Sequence, residues 1–104
     1  MARRVVWSPE ALSDVEEIAS YISRDSPRFA KSVVSKILSA AEGLARLPNR
    51  GRTVPETADP SIREIFVYSY RLIYRVGEKE ITVAAVIHGR RLLDAEKGRL
   101  LDEG

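Results

Sequence analysis

Two arginines alternate with apolar residues in the stretch Tyr70–Val76, and a β-strand there would place both on the same face. Arg71 and Arg75 would point one way, while the tyrosines and the leucine between them would point the other way. Guanidinium groups on an open sheet face can bind phosphates or carboxylates bidentately. Alternatively, they pair with nearby carboxylates and only solubilise the sheet, since charge on a solvated face is usual. Those carboxylates are Glu64, Glu78 and Glu80.

The single histidine of the chain, His88, is followed by Gly89 and two arginines. A histidine in this setting can transfer a proton or bind an anion. The simpler interpretation is a histidine that caps the end of a strand by hydrogen bonding. We therefore treat six residues as candidates for binding a target or an anion, and the pattern alone assigns no catalytic residue. The six are Arg63, Arg71, Arg75, His88, Arg90 and Arg91.

The composition argues against several kinds of site. Without cysteine there is neither a disulfide nor a thiolate, and one histidine leaves too few ligands for an ordinary zinc site. The sequence contains no glycine-rich phosphate loop and no metal-binding motif. We expect no metal and no cofactor. The formal net charge of +2 is also low for a protein that holds nucleic acid by charge alone.

The chain carries no signal for a membrane or for export. No apolar run approaches the ~18 residues that a transmembrane helix needs. The two arginines near the N-terminus are not followed by the apolar core of a secretory signal. The sequence therefore predicts a cytoplasmic protein.

The elements that position these residues begin with a short strand over Arg3–Trp7. Ser8 and Ser26 each precede a proline, which is typical of the first residues of a helix. Apolar residues at three- and four-residue steps predict one helix ending at Arg24-Asp25 and a second over Pro27–Leu47. The short connection between them predicts a helical hairpin. In the turn that follows, Gly51 is expected to adopt a left-handed conformation.

After a polar loop over residues 53–61, three strands are predicted with short connections, over Ile62–Val67, Tyr70–Val76 and Ile81–Ile87. Short connections predict an antiparallel meander. For the tail over residues 89–104, a short final helix is one alternative. The order β-α-α-β-β-β predicts a single α+β domain over residues 1–104, with a helical hairpin on one face of a small, mainly antiparallel sheet. The other face would remain for solvent or a partner.

In this order and spacing, the motifs resemble those of the RelE/ParE toxin superfamily over nearly the whole chain. They are most similar to the ParE branch and its plasmid-stabilisation relatives. The motifs are Val6-Trp7-Ser8-Pro9-Glu10-Ala11, Ile18-Ala19-Ser20-Tyr21-Ile22, Leu47-Pro48-Asn49-Arg50-Gly51-Arg52, Val54-Pro55-Glu56, Ile62-Arg63-Glu64, Tyr70-Arg71-Leu72-Ile73-Tyr74-Arg75-Val76 and Ile87-His88-Gly89-Arg90-Arg91.

The resemblance implies a RelE/ParE-like fold and a toxin that a cognate antitoxin neutralises in a type II toxin–antitoxin system, causing growth arrest when free. Operator DNA would be met only through the antitoxin. ParE-type members inhibit DNA gyrase, whereas RelE-type members cut messenger RNA on the ribosome. The low charge and the few acid–base groups favour gyrase inhibition. For the nuclease alternative, Arg71, His88 and Glu64 would form a minimal catalytic set. An antitoxin-binding module without toxicity is a third alternative.

Overall fold

The computed structural model describes residues 2–89, and these begin with a short strand and a helical hairpin. β1 spans Arg4–Trp7, α1 spans Pro9–Ser23 and α2 spans Pro27–Gly43. The Ser8 and Ser26 side chains each accept a hydrogen bond from the backbone N–H three residues further on, as predicted. Ser8 also donates to the carbonyl of Ala84, which fixes the start of α1 against the sheet.

The remaining strands complete a five-stranded mixed sheet in the order β1-β5-β4-β3-β2. The predicted meander of β3, β4 and β5 is antiparallel. β1 extends this meander by parallel pairing with β5, and the very short β2 pairs antiparallel with β3. The predicted α+β fold, two helices on a mainly antiparallel sheet, is confirmed. The strands are β2 (Arg52–Thr53), β3 (Ile62–Val67), β4 (Tyr70–Val76) and β5 (Glu80–His88).

The main core lies between the helical hairpin and one face of the sheet. Apolar side chains from both helices meet side chains that alternate along β1, β3 and β4, and further residues of β5. From β4 these are Leu72 and Tyr74, both fully buried, with Tyr70 and Val76 at the margins. This is the face that the sequence pattern assigned to the core. Asp14 of α1 accepts a hydrogen bond from the Val86 backbone N–H, which ties the hairpin to β5.

The second face of the sheet is not open over its whole length, so that expectation was partly wrong. A register shift at Ile73/Tyr74 inserts Ala84 as an extra residue in β5. Ala84, Ala85 and Ile87 then form a second apolar cluster with Ile73, Val54 and Ile62. The segment 54–62 supplies part of this cover, because Val54 and Ile62 belong to the cluster. Arg71 and Ile73, expected on an open face, are consequently buried.

β1 differs from its predicted bounds by one residue at one end and β5 by one residue at each end, whereas the end of α2 differs by more. α2 ends at Gly43 rather than Leu47, and the next residues form tighter turns in which Leu44 and Ala45 donate to carbonyls three residues back. The Ala45 carbonyl instead accepts the N–H of Arg3, so a tertiary contact replaces a further helical turn. The predicted tail helix, Arg90 and Arg91 lie outside the described residues. Within residues 2–89, no helix is long and apolar enough to cross a bilayer.

Candidate functional site

Arg71 lies on the second sheet face, between two carboxylates that occupy its donors. Its Nε donates to Glu64 Oε1 at 2.7 Å, and its two terminal nitrogens each donate to Glu56 at 3.0 Å. The other oxygen of Glu64 accepts a 2.6 Å hydrogen bond from Arg52. We call Arg52, Glu56, Glu64 and Arg71 the Arg71 cluster. The pairing with Glu64 was one of the two predicted alternatives, whereas Glu56 comes from the segment after β2.

The Arg71 cluster differs from a network of surface ion pairs because its central pair is buried. The Glu64 side chain is fully buried and that of Arg71 is 6% exposed. Because Arg71 donates to it, Glu56 has a pKa below its ordinary value. Conversely, the hydrogen bond to Glu56, followed by the contact with Glu64, raises the pKa of Arg71 despite the opposing effect of burial. Arg71 is therefore a fixed cation with its charge already neutralised, and its geometry suits a structural ion pair.

Arg63, a second predicted anion-binding residue, lies on the helix face, where it holds the turn after α2. Its guanidinium donates to the carbonyl of Gly51 at 2.7 Å. The neighbouring Tyr74 hydroxyl accepts the Gly51 N–H at 2.9 Å and donates to the Pro48 carbonyl at 2.8 Å. Burial raises the pKa of Tyr74, so this phenol remains protonated as a donor. Arg63 and Tyr74 thus form a scaffold for the turn.

Of the two predicted arginines on β4, Arg75 is more accessible than Arg71. Its side chain is 25% exposed, and its Nη1 forms a long ion pair with Asp59 Oδ2 at 4.0 Å. Backbone and side-chain hydrogen bonds from Ser61 lower the pKa of Asp59, and Arg75 adds a weaker effect in the same direction. Arg75 keeps a partly exposed guanidinium, so it stays a candidate for contact with a target.

His88 is exposed at the end of β5 and faces the helices rather than the Arg71 cluster. In the register of β4 and β5, His88 lies opposite Tyr70 while Arg71 lies opposite Ile87. Adjacent strand residues point to opposite faces, so His88 and Arg71 are on different sides of the sheet. The His88 ring instead makes an edge-to-face contact with Tyr70, with 5.8 Å between centroids. The structure therefore does not bring Arg71, Glu64 and His88 together as a catalytic set.

The His88 side chain borders an open hollow of about 540 Å³. It lies between the β3–β4 turn and the end of the hairpin where α1 connects to α2. Aromatic side chains line much of it, and Phe29 meets Tyr68 edge to face at 5.9 Å. Sequence analysis did not identify these exposed aromatics or Glu56 as site residues. Tyr68 could have been noticed, because it is a large residue in a two-residue turn where glycine or asparagine is usual. It adopts a left-handed φ of 54° there.

Comparison with known proteins places this geometry in a family. A profile of the ParE toxin of the type II toxin–antitoxin system parDE matches residues 5–93. The chain is 33% identical over 90 residues to Toxin RelE2 of Caulobacter vibrioides, a match that covers 86% of this chain and 98% of that protein.

Solved structures of toxins share the fold. The chain superposes with a TM-score of 0.70 on a chain of the chromosomal ParDE system from P. aeruginosa, at 22% identity, covering 84% of this chain and 96% of that one. A mutant of the E. coli toxin RelE in the free state gives a TM-score of 0.69 at 16% identity, covering 99% of this chain and 98% of that one. The chain belongs to the ParE toxin family of type II toxin–antitoxin systems, within the RelE/ParE superfamily.

Proposed function

We propose that this protein is a cytoplasmic toxin that inhibits DNA gyrase by direct contact and that a cognate antitoxin neutralises it. The observation that carries the proposal is the state of Arg71. Its guanidinium is neutralised by Glu56 and Glu64, and His88 is on the opposite face of the sheet. An acid–base mechanism of RNA cleavage needs its groups within reach of one substrate. The arrangement therefore favours inhibition by binding over cleavage.

Cleavage of messenger RNA on the ribosome is the second candidate, and His88 is the observation in its favour. His88 is exposed beside Tyr70 at the border of the hollow next to the hairpin. Imidazole and phenol are groups that can transfer protons, so this pair could act without Arg71. Under this alternative, substitution of His88 would abolish cleavage of messenger RNA. A substitution elsewhere that leaves the imidazole in place would not.

The test compares two activities of the purified, antitoxin-free protein. One reaction follows supercoiling of relaxed plasmid by gyrase, and the other follows cleavage of messenger RNA on programmed ribosomes. Each is run with the wild type, with His88→Gln and with Glu16→Gln as a control at an exposed position of α1. Addition of the antitoxin should restore whichever activity of the target the toxin suppresses.

The proposal expects loss of supercoiling with intact RNA, and the same loss with His88→Gln. Cut RNA with unaffected gyrase would overturn the proposal, and dependence of that cleavage on His88 would establish the second candidate. If neither target responds and strong induction of soluble protein leaves growth undisturbed, the chain is an antitoxin-binding module without toxicity.

A further inference from the structure

A groove runs along α2 and the outer edge of β3, and Arg71, Glu56 and His88 are not among its described lining residues. Three adjoining hollows of about 460, 410 and 210 Å³ make it up, and Lys36 lines all three. One wall is the outer side of α2, and the other is formed by β3 from Glu64 to Val67 with Tyr68 beyond it. We call this feature the α2–β3 groove.

The α2–β3 groove is lined by cations almost without opposing charge. Among its described lining residues the one carboxylate is Glu64, whose fully buried side chain is paired with Arg52 and Arg71. The groove is also lined by four other basic residues, which form no ion pair within residues 2–89. These are Arg28, Lys31, Lys36 and Arg50. The groove is therefore complementary to a negatively charged ligand.

The β3 wall of the groove is a strand edge that β2 covers only in part. β2 pairs with Arg63 and Glu64 and goes no further. The Ile62 carbonyl accepts the Val54 N–H and so points toward the β2 side. Alternate residues of a strand present their backbone groups to the same side, so the N–H and C=O of Phe66 also point away from β4. Within residues 2–89 no backbone group beyond β2 pairs with them, so they can pair with an added extended segment.

Exposed aromatic side chains stand at the same end of the groove. The Phe66 and Tyr68 residues are each 56% exposed. Arg52 lies 5.7 Å from the centre of the Phe66 ring, which keeps a cation next to this apolar surface. Tyr68 keeps a left-handed backbone conformation, which is unfavourable for a residue other than glycine. A large side chain at such a position is consistent with a contact residue rather than a simple turn.

We propose that the α2–β3 groove binds an extended protein segment with acidic side chains, which pairs with the backbone of Phe66 and sets its carboxylates against Lys36 and Arg50. The inference rests on the proposed pairing with an antitoxin, which would supply the segment. The strand edge favours a polypeptide over single-stranded nucleic acid, because only a polypeptide offers backbone donors and acceptors at strand spacing. The acidic residues of α1 also disfavour a long polyanion.

The experiment maps binding on the isotope-labelled full chain by NMR, which detects weak complexes. The probe is a short capped peptide in which glutamate and valine alternate. A second peptide with the same side chains carries N-methyl groups on alternate residues, which removes its backbone donors. Single-stranded oligouridylate of equal charge is the nucleic-acid probe. The double variant Lys36→Glu/Arg50→Glu is compared with Arg24→Glu/Lys79→Glu, which reverses two exposed charges outside the groove.

The proposal expects the acidic peptide to shift the Phe66 amide and its neighbours and to protect that amide from exchange. Binding should weaken about tenfold in Lys36→Glu/Arg50→Glu and on N-methylation, and change less than about twofold in the control variant. Shifts elsewhere, absence of binding, or stronger binding of oligouridylate would each overturn the proposal. Growth arrest and gyrase inhibition are not measured in this assay, so its failure leaves the proposed function standing.

Discussion

At the scale of single residues, Glu64 combines a fully buried carboxylate with two arginine partners, Arg52 and Arg71. A buried charge is tolerated only when it is paired, and removing one partner leaves the others desolvated without compensation. Arg71, at 6% side-chain exposure, cannot regain water if the carboxylate becomes neutral. Glu64 and Arg71 therefore depend on each other, which is the physical reason to assign them to the scaffold.

Replacing Glu64 by glutamine tests this dependence, because the amide keeps the shape and removes the charge. We expect Glu64→Gln to lower the free energy of unfolding by about 2–4 kcal/mol, measured by urea denaturation. The control is Glu80→Gln, which breaks the exposed pair with Arg4 and should cost about 0.5 kcal/mol or less. Equal, small effects of the two substitutions would contradict the structural assignment of the Arg71 cluster.

Glu56 makes a separate prediction about pH. Its pKa in the folded protein is lowered below the ordinary 4.5 chiefly by the hydrogen bond from Arg71. The ionised carboxylate therefore stabilises the folded state above the unfolded-state pKa, and this stabilisation is lost as the pH falls through the lower, folded-state pKa. We expect Glu56→Gln to reduce the loss of stability on acidification, measured as urea midpoints from neutral to acidic pH.

A second carboxylate gives an internal comparison for that measurement. The pKa of Asp59 is lowered mainly by hydrogen bonds from Ser61, so Asp59→Asn should also flatten the pH dependence, through a different contact. The double variant should be flatter than either single variant. If Glu56→Gln retains the wild-type pH dependence while Asp59→Asn flattens it, the Glu56–Arg71 contact does not stabilise the folded protein.

At the scale of elements, the turn between α2 and β2 depends on the absence of a side chain at Gly51. No described glycine has a positive φ, so the predicted left-handed conformation at Gly51 was wrong. A Cβ atom there would instead lie 2.4 Å from the Glu64 carbonyl oxygen and 2.7 Å from the Tyr74 hydroxyl. Close approach of β2 to β3 is therefore the reason for glycine.

Gly51→Ala should consequently destabilise the protein by about 2–4 kcal/mol, because the backbone must shift and the Tyr74 hydrogen bonds weaken. Gly43→Ala is the matched control. It lies in the last turn of α2, where the nearest atom to an added Cβ is in the Arg50 side chain at 3.7 Å. Alanine favours a helix over glycine by about 1 kcal/mol, so the control should raise the thermal midpoint. A neutral Gly51→Ala would show that β2 can move freely.

The sequence pattern correctly predicted those strands whose bounds depend only on neighbouring residues. β3 and β4 have the predicted bounds, because alternation of apolar side chains specifies a strand and its faces. The parallel pairing of β1 with β5 was not predicted, since it joins Arg4 to Glu80 across most of the chain. The inserted residue Ala84 was also missed. Its small apolar side chain is compatible with either face, and only the pairing with β4 reveals the shift.

The candidate site was less predictable than the fold for a related reason. The pattern identified Arg71 and its pairing with Glu64, but it could not show that segment 54–62 covers that face and brings Glu56 to Arg71. That His88 and Arg71 lie on opposite faces follows from the register between β4 and β5, which the sequence of either strand alone does not reveal. The grouping of charged side chains on the surface, such as the cations of the α2–β3 groove, likewise depends on tertiary packing.

At the scale of the whole molecule, inhibition by contact and inhibition by chemistry differ in their dependence on the amount of toxin. An inhibitor that acts by occupying gyrase can suppress no more enzyme molecules than it binds. A nuclease turns over, so a small amount of it eventually destroys all the messenger RNA. Because the Arg71 cluster is neutralised and separated from His88, we expect the first behaviour.

The measurement titrates the toxin against a fixed, high concentration of gyrase and follows the residual supercoiling rate. We expect a linear decrease that ends at a fixed ratio of toxin to gyrase and does not deepen with longer incubation. Arg75→Ala should keep the end point or raise it if its partly exposed guanidinium contacts gyrase, whereas His88→Gln should leave it unchanged. Progressive inactivation by substoichiometric toxin would contradict inhibition by contact. Dependence of that inactivation on His88 would assign the activity to the hollow at the end of the hairpin.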